Sequence, residues 1–151
     1  SFDNKRMNVK TPECKLRLSE MVLMLAEAYC HKGDSEKALK WLNELRRNRI
    51  EGVSDLTVGT LPEVREGDRI VVDCYGKPLT PLLQAIFDER RKEMYMEGDR
   101  WYELKRNGCP EWWIISNGLK YTTKAYLYTS PISKSDVDLN PGLEQNPGYV
   151  Y

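Results

Sequence analysis

Apolar residues recur at helical spacing in three stretches of the chain. From Leu82 to Gly108 the set Leu83, Ile86, Phe87 and Met94 forms one stripe. Thr80-Pro81 leads into it, an N-cap followed by proline at the first helical position, where a missing N–H costs nothing. Gly98 breaks the pattern and a shorter helix follows. Projected at about 100° per residue, Arg90 and Glu97 fall inside the apolar stripe. A charge there is unfavourable unless it is paired and hydrogen-bonded. The pattern therefore predicts a neighbouring element that supplies opposite charge.

The second stretch runs from Leu16 to Lys32, with Pro12 placed to start it and Leu18, Met21, Val22, Leu25, Ala26 and Tyr29 at helical spacing. Gly33 suits its C′ position and Asp34 the N-cap of a third stretch, Ser35 to about Arg49, with a stripe of Ala38, Leu42, Leu45 and Arg49 flanked by Trp41. Two helices joined by a Gly-Asp turn make a helical hairpin. Its residues AEAYCHKGDSEKALKWLNEL resemble a tetratricopeptide unit, present once, whereas an independent stack needs at least ~3. The hairpin is expected to lean on the Leu82–Gly108 unit or on sequence outside the chain.

The remainder is irregular. Ser1 to Thr11 reads as an extended lead-in. Arg69 to Tyr75 fits equally one strand of a small ribbon or a surface excursion between helices. Asn117-Gly118 is a turn signal, and Tyr121 to Tyr128 suits a second short strand. Ser133-Lys134-Ser135-Asp136 has capping-box spacing for a one-turn helix. Leu139 to Tyr151 is a string of turns, Asn140-Pro141-Gly142 and Asn146-Pro147-Gly148-Tyr149, which must be held by docking. The predicted fold is mainly α, with tetratricopeptide-like helical hairpins, long irregular segments and at most one small β-ribbon.

Charge narrows the function. With 23 basic and 23 acidic side chains the formal net charge is +0, against a dedicated nucleic-acid surface. Arg46, Arg47 and Arg49 read as cations near a helix C-terminus, favoured by the macrodipole. No apolar run approaches the ~20 residues of a membrane span. No basic-then-apolar leader begins at Ser1. Cys14, Cys30, Cys74 and Cys109 show no C-x-x-C spacing and the chain has one histidine, so no metal site is predicted. Cys14 and Cys30 at two ends of one helix would be about 24 Å apart, beyond disulfide reach. Free buried thiols are the expected state.

Glu20 and Glu27 share a helix face, as a glycosidase's carboxylates would, but Arg17, Arg90 and Arg100 are available partners. An interhelical ion-pair network, with Arg90 and Arg100 facing these glutamates, is the favoured reading. Asp88, Glu89, Arg91, Lys92 and Glu93 read as a solvated helix face. His31 has no nucleophile pattern nearby, and G-x-S-x-G, P-loop and G-x-G-x-x-G motifs are absent from the sequence. No catalytic residue and no cofactor is predicted. Among the aromatics, Trp101 is expected in the core. Adjacent Trp112 and Trp113 cannot both point inward on a regular element, so one is a candidate for exposure and binding.

The order RLSEMVLMLAEAY, then GD and a helix ending NELRRNR, then IFDERRKEMYMEGDRWYELKRNG, then SPISKSDVDLNPGLEQNPGY resembles the C-terminal portion of the SusD-like (RagB/SusD) family. The resemblance covers about Arg17 to Tyr149, with Gly52 to Lys77 carrying little of it. Ser133 stands where the family usually has a second proline, and Asp136 where it usually has glutamate. Both still permit a capped turn. The resemblance implies a non-catalytic nutrient-binding lipoprotein exposed at the cell surface on the outer membrane. It implies an oligosaccharide or other nutrient as ligand, a SusC-type TonB-dependent transporter as partner, and a lipid anchor upstream of this chain as the membrane attachment. Residues 1–151 are then expected to be one SusD-like C-terminal helical domain of a longer protein. The expected glycan contacts are Trp112, Trp113 and Tyr126. The competing expectation is a tetratricopeptide-type scaffold for a protein partner.

Overall fold

The computed structural model describes residues 17–150. The lead-in over Ser1 to Thr11, the helix start at Pro12, Leu16 and Cys14 lie outside the described residues. Five helices and one two-stranded sheet are present among those described: α1 (Leu18–His31), α2 (Ser35–Arg47), α3 (Pro81–Glu93), α4 (Asp99–Arg106), β1 (Trp112–Ser116), β2 (Leu119–Thr123) and α5 (Lys134–Leu139). They fall into two compact units. The first runs to Pro62 and includes Leu82–Glu93; the second combines Glu63–Pro81 with the chain from Met94 onward.

In the first unit, the α1–α2 turn forms as its glycine predicts. Gly33 takes φ +78, its N–H donates to Cys30 O at 3.0 Å, and Asp34 N–H donates to Tyr29 O at 2.9 Å. Those two bonds are the Schellman pattern, which satisfies carbonyls the helix end leaves open. Asp34 then caps α2 by accepting from Lys37 N at 3.1 Å. The core joins Leu23 and Ala26 of α1, Ala38, Leu39, Leu42 and Leu45 of α2, and Leu82, Ala85 and Ile86 of α3.

The buried face of α1 differs from the predicted stripe. Ser19, Leu23, Ala26 and Glu27 are buried, whereas Leu18, Met21, Met24 and Leu25 are exposed. α1 is apolar on nearly every side, so spacing alone could not choose the face; packing against α2 did. The Asp88–Glu93 run is corrected in the same way. Glu89 is buried, 3.2 Å from Lys92 Nζ and 3.9 Å from Arg46 Nε. Glu93 takes Arg17 at 2.6 Å and Arg49 at 2.9 Å. These carboxylates face cations rather than water, and Arg46 and Arg49 serve them rather than a helix dipole alone.

The second unit has less regular structure. Met94 to Gly98 breaks the chain between α3 and α4, and Gly98 caps α4 at φ +79, a backbone conformation that favours glycine. Arg69 to Tyr75 forms no strand. It ends in a turn closed by Asp73, whose Oδ1 accepts from Tyr75 N at 2.9 Å and Lys77 N at 2.8 Å, with one isolated bridge between Val72 and Pro78. The sheet instead pairs β1 with β2, antiparallel in the register Trp112↔Thr123 to Ser116↔Leu119.

The closing turns are docked, as expected. Gln145 Nε2 donates to Ile132 O at 2.9 Å while its Oε1 accepts from Ile132 N at 2.8 Å, copying a strand pairing with a side-chain amide. Asn146 Nδ2 donates to Ser130 O at 2.7 Å and the Tyr149 hydroxyl donates to Thr129 O at 2.8 Å. α5 is capped by Ser133, which accepts from Asp136 N. No helix among the described residues is long and apolar enough to cross a membrane.

Candidate functional site

The β1–β2 hairpin turns on Asn117 (φ +50) and Gly118 (φ +75), both in the left-handed region that a two-residue hairpin loop needs. Side chains alternate along each strand and directly paired residues share a face. Trp112, Ile114 and Ser116 therefore lie on one face with Thr123, Tyr121 and Leu119, while Trp113 and Ile115 lie on the other with Thr122 and Lys120. Trp112 and Trp113 consequently cannot form one flat platform.

Both faces are open. Trp113 is 53% exposed, and Ile114, Ile115, Leu119 and Tyr121 are exposed as well. Lys120 Nζ lies 5.0 Å from the centre of the Trp113 ring, a cation–π contact between diagonal neighbours. A two-stranded hairpin is marginal by itself, and this one is pinned at its base. Trp112 Nε1 donates to Tyr128 Oη at 3.0 Å, and the Tyr128 hydroxyl donates to Pro110 O at 2.9 Å. Across the base, Lys124 Nζ sits 2.9 Å from Glu111, and that hydrogen bond draws the Glu111 carboxyl below its ordinary value.

Tyr128 is the buried hub of this region, at 3% exposure. Burial raises its hydroxyl pKa, and the Trp112 hydrogen bond and the positive charges of Arg100 and Arg69 oppose the rise. Trp101 stacks on Tyr128, ring centres 4.5 Å apart and planes 23° from parallel. Trp101 was expected in the core, yet it remains exposed beyond that stack, because the apolar positions of α4 that face inward begin only at Leu104. The Arg69 guanidinium carbon lies 4.5 Å from the centre of the Trp112 ring. Arg69 and Trp101 carried no local signal in the sequence; their placement depends on contacts with Trp112 and Tyr128, which lie 43 and 27 positions further on.

Tyr126 packs edge-on to Tyr149 at 5.0 Å and 89°. A Cβ added at Gly148 would collide with the Tyr126 ring. Part of this ring is thus committed to the closing turn, although its outer edge stays exposed.

The two glutamates on α1 are engaged. Arg90 is 7% exposed and its Nη2 reaches Glu20 Oε1 at 3.1 Å, the cross-helix pair that its place in the apolar stripe called for. Glu27 Oε1 lies 3.6 Å from His31 Nε2 one turn on. Arg100, expected to face a glutamate of α1, pairs with Glu103 within α4 instead, because the spacing of one turn lets a helix satisfy the charge locally. Of the thiols expected to be buried, Cys30 and Cys109 are partly buried, while Cys74 is exposed on the Asp73 turn.

A sequence profile of the SusD family matches residues 2–149. A SusD-like protein of Formosa agariphila is 32% identical over 134 residues, covering 88% of this chain and 24% of that protein. A proposed sugar-binding protein of Bacteroides vulgatus is similar in structure, with a TM-score of 0.61 and 32% identity, over 89% of this chain and 28% of that one. A SusD-like protein of Bacteroides fragilis has a TM-score of 0.57 and 27% identity, over 89% of this chain and 25% of that one. The chain thus spans about a quarter of the length of the relatives it matches.

Proposed function

The chain belongs to the SusD family, and from that membership we propose that it forms part of a non-catalytic glycan- or nutrient-binding protein in a SusC/SusD-type uptake system. On this reading residues 1–151 make one C-terminal domain of a longer protein, supported by the quarter-length span of the relatives. The whole protein sits at the cell surface, anchored to the outer membrane through a lipid upstream, and hands its ligand to a SusC-type TonB-dependent transporter. The sugar-binding description of the Bacteroides vulgatus neighbour supports an oligosaccharide as that ligand. No chemistry is assigned to Glu20 and Glu27, in keeping with their pairing to Arg90 and His31.

The observation that carries the reading is the exposed indole of Trp113 on a hairpin that buries neither face. Aromatic faces stack on the C–H faces of sugars and combine apolar area with a polar handle. Trp113 is proposed as the main contact, with the outer edges of Trp112 and Tyr126 alongside their packing roles. The test is a glycan panel measured against this chain and against a longer polypeptide of the same protein. Loss of binding in Trp113→Ala or Trp112→Ala places contacts here; binding only by the longer polypeptide, unaffected by both substitutions, moves the site elsewhere.

One observation favours the second reading, a tetratricopeptide-type scaffold for a protein partner. Leu18, Met21, Met24 and Leu25 leave an apolar stripe of α1 exposed, which suits helix-on-helix docking. Met21→Lys with Leu25→Lys would abolish such docking and leave glycan binding intact.

A further inference from the structure

The arrangement around Trp112 has a property that aromatic stacking alone does not require. The Arg69 guanidinium carbon lies 4.5 Å from the centre of the Trp112 ring. A cation–π contact uses the charge of a guanidinium without consuming its N–H donors, so these stay available to an acceptor. Arg69 is exposed, and among the described residues no carboxylate forms an ion pair with it. Its sequence neighbour Asp68 is turned away, accepting from the Arg69 backbone N–H at 2.7 Å and holding Arg65 at 2.8 Å.

The ring beneath Arg69 is itself fixed. Trp112 is tied to Tyr128 and Tyr128 to the Pro110 carbonyl. Trp101 stacks on Tyr128 and stays exposed. An exposed indole and an exposed guanidinium are therefore joined through one chain of contacts, Trp101–Tyr128–Trp112–Arg69. Arg69 and Arg100 both lie near enough to act on the Tyr128 hydroxyl, Arg100 while paired with Glu103.

We propose that Arg69 and Trp101 form a binding site for an acidic glycan, the guanidinium taking a sugar carboxylate or sulfate and the indole stacking on a sugar ring. This rests on the glycan-binding reading above and specifies its ligand class. Planar carboxylate and sulfate groups present two oxygens to the guanidinium fork, a geometry that lysine or a neutral donor does not reproduce. The site would discriminate by charge rather than by sugar stereochemistry.

The test uses one backbone with and without its charge: a tetramer of galacturonic acid and its fully methyl-esterified form, titrated calorimetrically into the chain. The acidic tetramer is expected to bind tighter by on the order of tenfold to a hundredfold, the range for a charge-assisted hydrogen bond. Arg69→Met, which keeps an unbranched stem over Trp112, should erase that preference, and Trp101→Ala should weaken both ligands alike. Thermal unfolding of each variant confirms that it remains folded. Equal binding of the two tetramers, or a preference that survives Arg69→Met, overturns the acidic site and leaves the broader glycan reading standing. Binding of neither tetramer overturns the acidic site, and a longer polypeptide of the same protein that also ignores the neutral panel overturns the glycan reading as well.

Discussion

The two units of this chain are held together by different forces. The first is a three-helix packing in which Leu23, Ala26, Ala38, Leu42 and Ile86 are wholly buried and ion pairs link residues far apart in sequence. The second buries few large side chains and is held by single hydrogen bonds from side chains to backbone, such as those of Gln145, Asn146 and Tyr149, together with aromatic contacts. Apolar burial is non-directional and tolerates drift at the surface, whereas side-chain–backbone bonds fix each loop separately. The first pattern suits a scaffold. The second suits a surface whose exposed residues can vary without loss of the fold, and all the exposed tryptophans lie there.

The largest expected effect is in the scaffold. Ile86→Ala should cost about 2–5 kcal/mol in urea unfolding, the range for deleting a buried aliphatic side chain. A cost under about 1 kcal/mol would mean that α3 is not the centre of the core. Next comes Glu93. Hydrogen bonds from Arg49 first, then Ser19 and the charge of Arg17, draw its carboxyl below the ordinary value despite partial burial. Glu93 is therefore a stronger acid folded than unfolded. Its contribution is complete above the ordinary glutamate value of about 4.3 and lost as pH falls through the lower, folded-state value. Glu93→Gln should cost about 1–3 kcal/mol at pH 7 and flatten the loss of stability between neutral and acid pH; an unchanged acid profile would remove Glu93 as the titrating group.

In the second unit the effects should be smaller and local. Gly148→Ala places a Cβ against the Tyr126 ring at φ +90, with an expected cost of about 1–3 kcal/mol. Amide hydrogen exchange should show faster opening at residues 129–132 and 145–149, with α1 and α2 unaffected. Smallest of all, Trp113→Ala should change stability by no more than about 0.5 kcal/mol, as for a surface substitution, while it weakens glycan binding. A large loss of stability would make Trp113 a structural residue.

Local chemistry was readable in the sequence wherever a short stretch decides its own conformation. Gly33-Asp34, Pro81, Gly98, Asn117-Gly118 and Ser133 each set a boundary through a positive φ, a missing N–H or a cap. Arg90 was readable because a charge inside an apolar stripe demands a partner. Partner identity was less so. Arg17 and Arg49 reach Glu93 across 76 and 44 positions, and nothing in local spacing marks Glu93 apart from the solvated charges beside it. α1 offered several apolar faces and α2 selected one. β1 was hidden because its exposed residues are apolar on both faces, which removes the alternation that signals a strand. Of the candidate site, Trp112, Trp113 and Tyr126 were found by residue type, while Arg69 and Trp101 enter only through tertiary contacts.

In the proposed function the second unit meets the ligand and the first serves as scaffold. Amide hydrogen exchange with and without a saturating oligosaccharide from the panel tests this most directly. New protection is expected around Arg69, Trp101 and residues 112–123, with α1 and α2 unchanged. Protection along Leu18–Leu25 with none in the hairpin would contradict it.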